Sequence, residues 1–142
     1  MKFLIDTNII LDVLLKREPF YNEGAMVLNL SKEDSVDLYV SASAITDIYY
    51  IANQTLKDKA EVKILLEKLV KIVSIACVSE DEILNALTLS WGDFEDSVQY
   101  SVALLQEMDG IITRNPSDFK ASELKIWKPE ELLSWWKSDR DI

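Results

Sequence analysis

Four regions of this chain place carboxylates where structural habit does not fully explain them. Asp6 follows the apolar run Phe3-Leu4-Ile5 directly. Asp47 sits inside Ser43-Ala44-Ile45-Thr46-Asp47-Ile48-Tyr49-Tyr50, among apolar neighbours and in a helical pattern. Asp is a poor helix-interior residue, and an ionised carboxylate in apolar surroundings is costly unless paired or metal-bound. Asp96 closes the run Asp93-Phe94-Glu95-Asp96, three acids in four residues. Capping needs one acid and the helix dipole favours others in the first turn, but three repel one another. Thr113-Arg114-Asn115-Pro116-Ser117-Asp118 follows another apolar run and sets a hydroxyl, a guanidinium, an amide and a carboxylate together. Each has a bland reading: a turn for Asp6, a solvated stripe for Asp47, a capped helix for Asp96, turn chemistry for Asn115 and Asp118. Converged on one rim, they make an oxygen-only ligand set suited to Mg²⁺ or Mn²⁺. The matching chemistry is metal-assisted attack of water on a phosphodiester.

Composition removes most other chemistry. The 142 residues contain no histidine, so His bases, triads and His metal ligands are excluded. The single cysteine, Cys77, excludes a disulfide framework and a Cys-rich zinc site within one chain. The three glycines, Gly24, Gly92 and Gly110, are spaced for neither a P-loop nor a dinucleotide loop. A net charge of −10 argues against a protein held to nucleic acid by bulk positive charge. The charge is uneven. Ile72 to Thr113 carries eight acids and no base, whereas Lys57 to Lys71 carries five lysines against three acids, a distant track for an anionic polymer.

The elements that must position these acids follow from periodicity. Short apolar strands are expected at Phe3–Ile5, Leu38–Ser41, Ile72–Val78 and Gly110–Thr113, with a weak fifth near Lys125–Trp127. Helical patterns fill the intervals: Ile9–Leu15, residues 20–33, Ser43–Gln54, 58–71, a helix opened by a Ser79/Glu82 capping box, another from Asp93, and a last one from Pro129. Strands alternating with helices predict a three-layer α/β/α fold with a parallel sheet of four to five strands, as one domain over 1–142. Ligands on such sheets sit at the carboxyl ends of the strands, at a topological switch point. Asp6 interrupts the N-terminal apolar run too early for a signal peptide, and no stretch approaches a membrane span. A reducing cytoplasm is the expected compartment.

The four segments Leu4-Ile5-Asp6-Thr7-Asn8, Ser41-Ala42-Ser43-Ala44-Ile45-Thr46-Asp47, Asp93-Phe94-Glu95-Asp96-Ser97-Val98-Gln99-Tyr100 and Ile111-Ile112-Thr113-Arg114-Asn115-Pro116-Ser117-Asp118-Phe119, in this order, resemble a PIN domain over almost the whole chain. The resemblance implies a Mg²⁺- or Mn²⁺-dependent endoribonuclease, with a toxin of a VapBC-type toxin–antitoxin pair as the leading role. RNA is then the substrate, a small antitoxin protein a partner, and a homodimer the expected assembly. Asp6, Asp47 and Asp96 match the metal-binding and catalytic acids, with Asp47 standing where many relatives carry Glu. Asn115 holds the fourth acidic place by alignment on Thr113, and Asp118 is the alternative ligand. Thr7, Asn8, Asp93 and Thr113 are supporting polar residues. Arg114 and Lys120 are the expected phosphate contacts. Three indoles near the C-terminus, Trp127, Trp135 and Trp136, serve either core packing or an interface.

Two rival folds with strand-end acids fit less well. A phosphorelay receiver wants an acid at the end of the third strand, which here reads Ala76-Cys77-Val78-Ser79. A haloacid-dehalogenase-type phosphatase needs a second Asp two residues after the first, where Asn8 stands. A PIN fold that binds partners or RNA without cutting, or a housekeeping RNA-processing nuclease, remains the functional alternative.

Overall fold

A computed structural model describes residues 1–119 and 122–140. Five strands form one sheet: β1 (Lys2–Ile5), β2 (Asp37–Ser41), β3 (Ser74–Ala76), β4 (Gly110–Ile112) and β5 (Lys125–Trp127). All pairings are parallel and the spatial order is β3-β2-β1-β4-β5. Among the described residues seven α-helices cover it: α1 (Thr7–Leu14), α2 (Tyr21–Asn29), α3 (Ala42–Leu56), α4 (Lys59–Leu69), α5 (Glu80–Thr88), α6 (Phe94–Leu105) and α7 (Pro129–Arg140). This is the predicted α/β/α sandwich, with the weak fifth strand present.

Strand periodicity separates the two cores. Side chains alternate across a strand, so Phe3 and Ile5 face one side while Leu4 faces the other. On the first side Phe3, Ile5, Val40 and Ile112 meet apolar residues of α1, α2, α3 and α4, with Leu132 of α7. On the second, Leu4, Ala76 and Ile111 meet Ala86 of α5 and Val98, Val102 and Ala103 of α6. Burial on both faces explains the near-continuous apolar strands. Trp127, Trp135 and Trp136 pack, partly buried, against the first core, with ring centroids 5.3 Å apart for the first pair and 6.2 Å for the second. Core packing therefore accounts for these indoles.

Three local expectations need correction. The third strand is shorter than Ile72–Val78, because the N–H groups of Ile72 and Val73 both donate back to the Leu69 carbonyl and finish the turn of α4. No reciprocal capping box forms at α5. The Ser79 hydroxyl donates to the Glu82 carboxylate itself, and Gln106 holds the other Glu82 oxygen at 2.8 Å. The first helix begins at Thr7, immediately after Asp6, rather than at Ile9.

The sheet order sets the site. The chain steps outward from β1 to β2 to β3, then returns to the other side of β1 as β4. Connections leave the carboxyl ends of β1 and β4 in opposite senses, which opens a crevice there. Gly110 starts β4 where space is least. A Cβ on it would lie 2.8 Å from the Lys125 carbonyl oxygen and 2.9 Å from the Trp127 indole.

Candidate active site

The register of β1 on β4 pairs Ile5 with Ile112, so the next residues, Asp6 and Thr113, leave the sheet side by side. The Asp6 N–H donates to the Ile112 carbonyl at 2.9 Å, and the Asp6 carbonyl accepts from Ile9 in the first turn of α1. Asp6 is the N-cap of α1, yet its carboxylate makes no capping bond. It is instead held by tertiary donors. The Thr113 hydroxyl donates to Oδ2 at 2.8 Å and Gln99 Nε2 donates to Oδ1 at 3.1 Å. Asp6 is 5% exposed, and this burial pushes its pKa above the usual carboxylate value, against the opposing pull of the Thr113 and Gln99 hydrogen bonds.

Around Asp6 lies a cleft of about 350 Å³. Six acids line it: Asp6, Asp47, Asp93, Glu95, Asp96 and Asp118, together with Thr7, Asn8, Tyr50 and Ile51. Among the described residues no lysine or arginine lines it. Asp47 reaches it from α3, one turn before Tyr50 and Ile51. Asp93 is the N-cap of α6, its Oδ1 accepting from the Asp96 N–H at 3.1 Å, so one acid of the run does cap and the others face the cleft. Glu95 accepts from the Thr7 hydroxyl at 3.3 Å. Partial burial raises the Glu95 pKa, with repulsion from Asp47 next. The Asp96 carboxyl is pushed up to about 7 by desolvation and then by repulsion from Asp93, Asp6, Asp118 and Glu95. Carboxylates with raised pKa values gathered in a cleft mark a candidate functional site.

The structure thus brings Asp6, Thr7, Asn8, Asp47, Asp93, Asp96 and Asp118 to one cleft, and Thr113 to Asp6 behind it. Asn115 does not line it. It is exposed, and its backbone N–H donates to Thr113 Oγ1 while its carbonyl accepts from Asp118. It makes the turn that presents Asp118. Arg114 is also elsewhere. Its guanidinium is engaged with Asp12 in a separate cleft beside Phe20. Lys120 lies outside the described residues. Sequence reasoning overlooked two residues. Glu95 was assigned to helix-dipole duty, and only the surplus of acids hinted otherwise. Gln99 stands in the sequence between Val98 and Tyr100, with Ser97 and Ser101 two positions away on either side, and nothing there signals a partner 93 positions away.

Among the described residues no three acids form a ready-made ligand set for one ion. The three expected ligands share a cleft without being gathered to direct-ligand distance. The donor chemistry still fits a hard divalent cation: every candidate ligand is oxygen, and Mg²⁺ binds through one or two carboxylates while keeping several waters.

A parallel α/β/α sandwich with acids crowded at its switch point defines a class of folds that place their ligand sites at strand ends. Within that class the chain belongs to the PIN domain family, whose model matches residues 2–117. No curated protein sequence matches it. Solved structures with the same fold include VapBC-1 from nontypeable Haemophilus influenzae, with 18% identity, a TM-score of 0.69, and 92% of this chain and 99% of that chain covered. VapBC2 from Rickettsia felis, bound to a DNA fragment from its promoter, has 19% identity and a TM-score of 0.66, covering 90% of this chain and 100% of that one. The Mycobacterium tuberculosis toxin VapC20, which cleaves the sarcin-ricin loop, has 14% identity and a TM-score of 0.61, covering 77% and 86%. At these identities the likeness concerns the fold. Among the described residues no helix is long and apolar enough to cross a membrane.

Proposed function

We propose that this chain is a metal-dependent endoribonuclease that hydrolyses RNA phosphodiester bonds as the toxin of a toxin–antitoxin pair. One observation carries the reading: among the described residues, six carboxylates and no base line a single cleft at the switch point of a PIN fold. Mg²⁺ or Mn²⁺ is the proposed cofactor, with Asp6, Asp47, Asp96 and Asp118 as its holders. Such an ion supplies Lewis acidity, activating water for attack on phosphorus and offsetting charge on the phosphoryl oxygens. The protein's own contribution is placement. Thr113 and Gln99 fix the Asp6 carboxylate, Asp93 caps α6 so that Asp96 enters the cleft from its first turn, and Thr7 ties Glu95 to the start of α1. The five lysines of Lys57–Lys71 offer a route for the RNA backbone outside this negative cleft.

The proposed partners are RNA, a small antitoxin protein and a second copy of the chain, in the cytoplasm. One solved structure of the same fold is a toxin–antitoxin complex from Klebsiella pneumoniae, which supports the partner reading. The test is cleavage of a structured RNA by purified protein with Mn²⁺, with chelator, and with Asp6→Asn. Cleavage should need the ion and fall at least about 100-fold in the variant. Metal-independent cleavage, or full activity of Asp6→Asn, refutes it. Light scattering at micromolar concentration should give twice the chain mass.

A further inference from the structure

Gln99 lies in the middle of α6, 1% exposed, on a helix that buries Val98, Val102 and Ala103 and also Ser97 and Ser101, whose hydroxyls each donate to a backbone carbonyl four residues back. Its amide is half satisfied. Nε2 donates to Asp6 Oδ1 at 3.1 Å, while Oε1 is buried with no hydrogen-bond partner among the described residues. Reversing the amide would point an acceptor at a carboxylate, so the donor end must face Asp6. A buried acceptor left unmade is destabilising, and an apolar side chain of the same length would avoid that cost. Packing therefore does not explain a glutamine here. Its one bond does, and that bond ends on the most buried acid of the cleft.

We propose that Gln99 is a positioning residue, which together with Thr113 clamps the Asp6 carboxylate between two neutral donors so that its orientation is set before a divalent cation arrives. The donors come from different elements, Thr113 from the end of β4 and Gln99 from α6. Each takes one oxygen of Asp6 and leaves lone pairs on both. Neither donor brings a positive charge, so the clamp orients Asp6 without neutralising it. An arginine or lysine in the same place would compete with the cation. Partners of this kind typically alter metal affinity by 10–100-fold when removed. The inference rests on the reading that Asp6 holds a divalent ion.

The test compares wild type, Asp6→Asn, Gln99→Met and Gln99→Leu. Each is unfolded with urea in chelator, and each is titrated with Mn²⁺ by calorimetry. Gln99→Met should be as stable as wild type or more stable in chelator, yet bind Mn²⁺ at least about fivefold more weakly. Gln99→Leu should behave alike. Mn²⁺ affinity within twofold of wild type in both variants overturns the clamp. So does collapse of both in chelator, which would make Gln99 a residue of the fold. If Asp6→Asn loses Mn²⁺ binding while the Gln99 variants keep it, only the clamp fails. If wild type and Asp6→Asn bind Mn²⁺ equally, the metal reading of Asp6 fails and takes the clamp with it.

Discussion

Arg114 Nε donates to Asp12 Oδ2 at 2.6 Å and Nη2 donates to Oδ1 at 3.3 Å, tying the loop after β4 to the middle of α1. Asp12 is 1% exposed, and the guanidinium lies 3.9 Å from the centre of the Phe20 ring. Arg17 adds a more distant charge at 3.8 Å. This two-point bridge fixes the segment from Thr113 to Asp118 relative to the helix that begins beside Asp6.

Breaking it should be expensive. Removing one partner of a buried ion pair leaves the other charge uncompensated and typically costs about 3–5 kcal/mol. Asp12→Ala leaves Arg114 partly exposed and able to rehydrate, so a smaller loss of about 1.5–3 kcal/mol is expected in urea unfolding. Arg114→Lys keeps the charge but loses the planar fork, and should lose less. A loss below about 1 kcal/mol in Asp12→Ala would show the bridge to be incidental.

The raised pKa values set an unusual pH dependence. Asp96 titrates near 7 in the fold against 3.8 as its ordinary value, and Asp6 and Glu95 are shifted the same way. Between about pH 4 and 7 the unfolded chain has lost protons that the fold retains, so metal-free stability should fall as pH rises through that window. Asp96→Asn removes its share of the fall. At pH 8 in chelator it should match or exceed wild type, by roughly 1 kcal/mol after solvent screening, or about 2–6 °C in Tm. Mn²⁺ should raise the Tm of wild type and do so less in the variant, which should also be inactive. A less stable Asp96→Asn with an undiminished Mn²⁺ response would remove Asp96 from the site.

Asp118, not Asn115, is expected to serve as the fourth acidic ligand. Asp118 lines the cleft, whereas Asn115 is exposed outside it. Asp118→Asn should weaken Mn²⁺ binding about tenfold, and Asn115→Ala by less than about twofold. Calorimetric titration of both variants decides between them, and the reverse order would restore Asn115.

Gly110→Ala tests the seam between β4 and β5. The added methyl meets the Lys125 carbonyl oxygen at 2.8 Å, a backbone atom that moves only with its strand. A loss of about 1–3 kcal/mol is expected, with a change in tryptophan emission because Trp127 forms the other wall. An unchanged unfolding midpoint would show that β5 yields freely.

The layered fold was legible from local pattern alone. Apolar runs of three to five residues, separated by helical periodicity, leave few arrangements other than a parallel sheet covered on both faces. Asp6 and Thr113 at strand ends, and Asp93 as a helix cap, were readable because strand ends and caps are defined by near neighbours in the chain. Asp47 was readable because its residue type conflicts with its surroundings. What packing decided lies across the sequence. Residues 95 and 96 both enter the cleft because α6 docks on the sheet with its first turn beside α1. Asn115 and Asp118 are three positions apart in one turn, and only the path of that turn selects the second. Arg114 looked like a free cation until α1 placed Asp12 against it, and Gln99 showed no partner until β1 placed Asp6 there. Periodicity states which residues share a face of one element. Which groups meet across two elements is set by how both cores close, and the partners of Asp6 and Arg114 belong to that second kind of information.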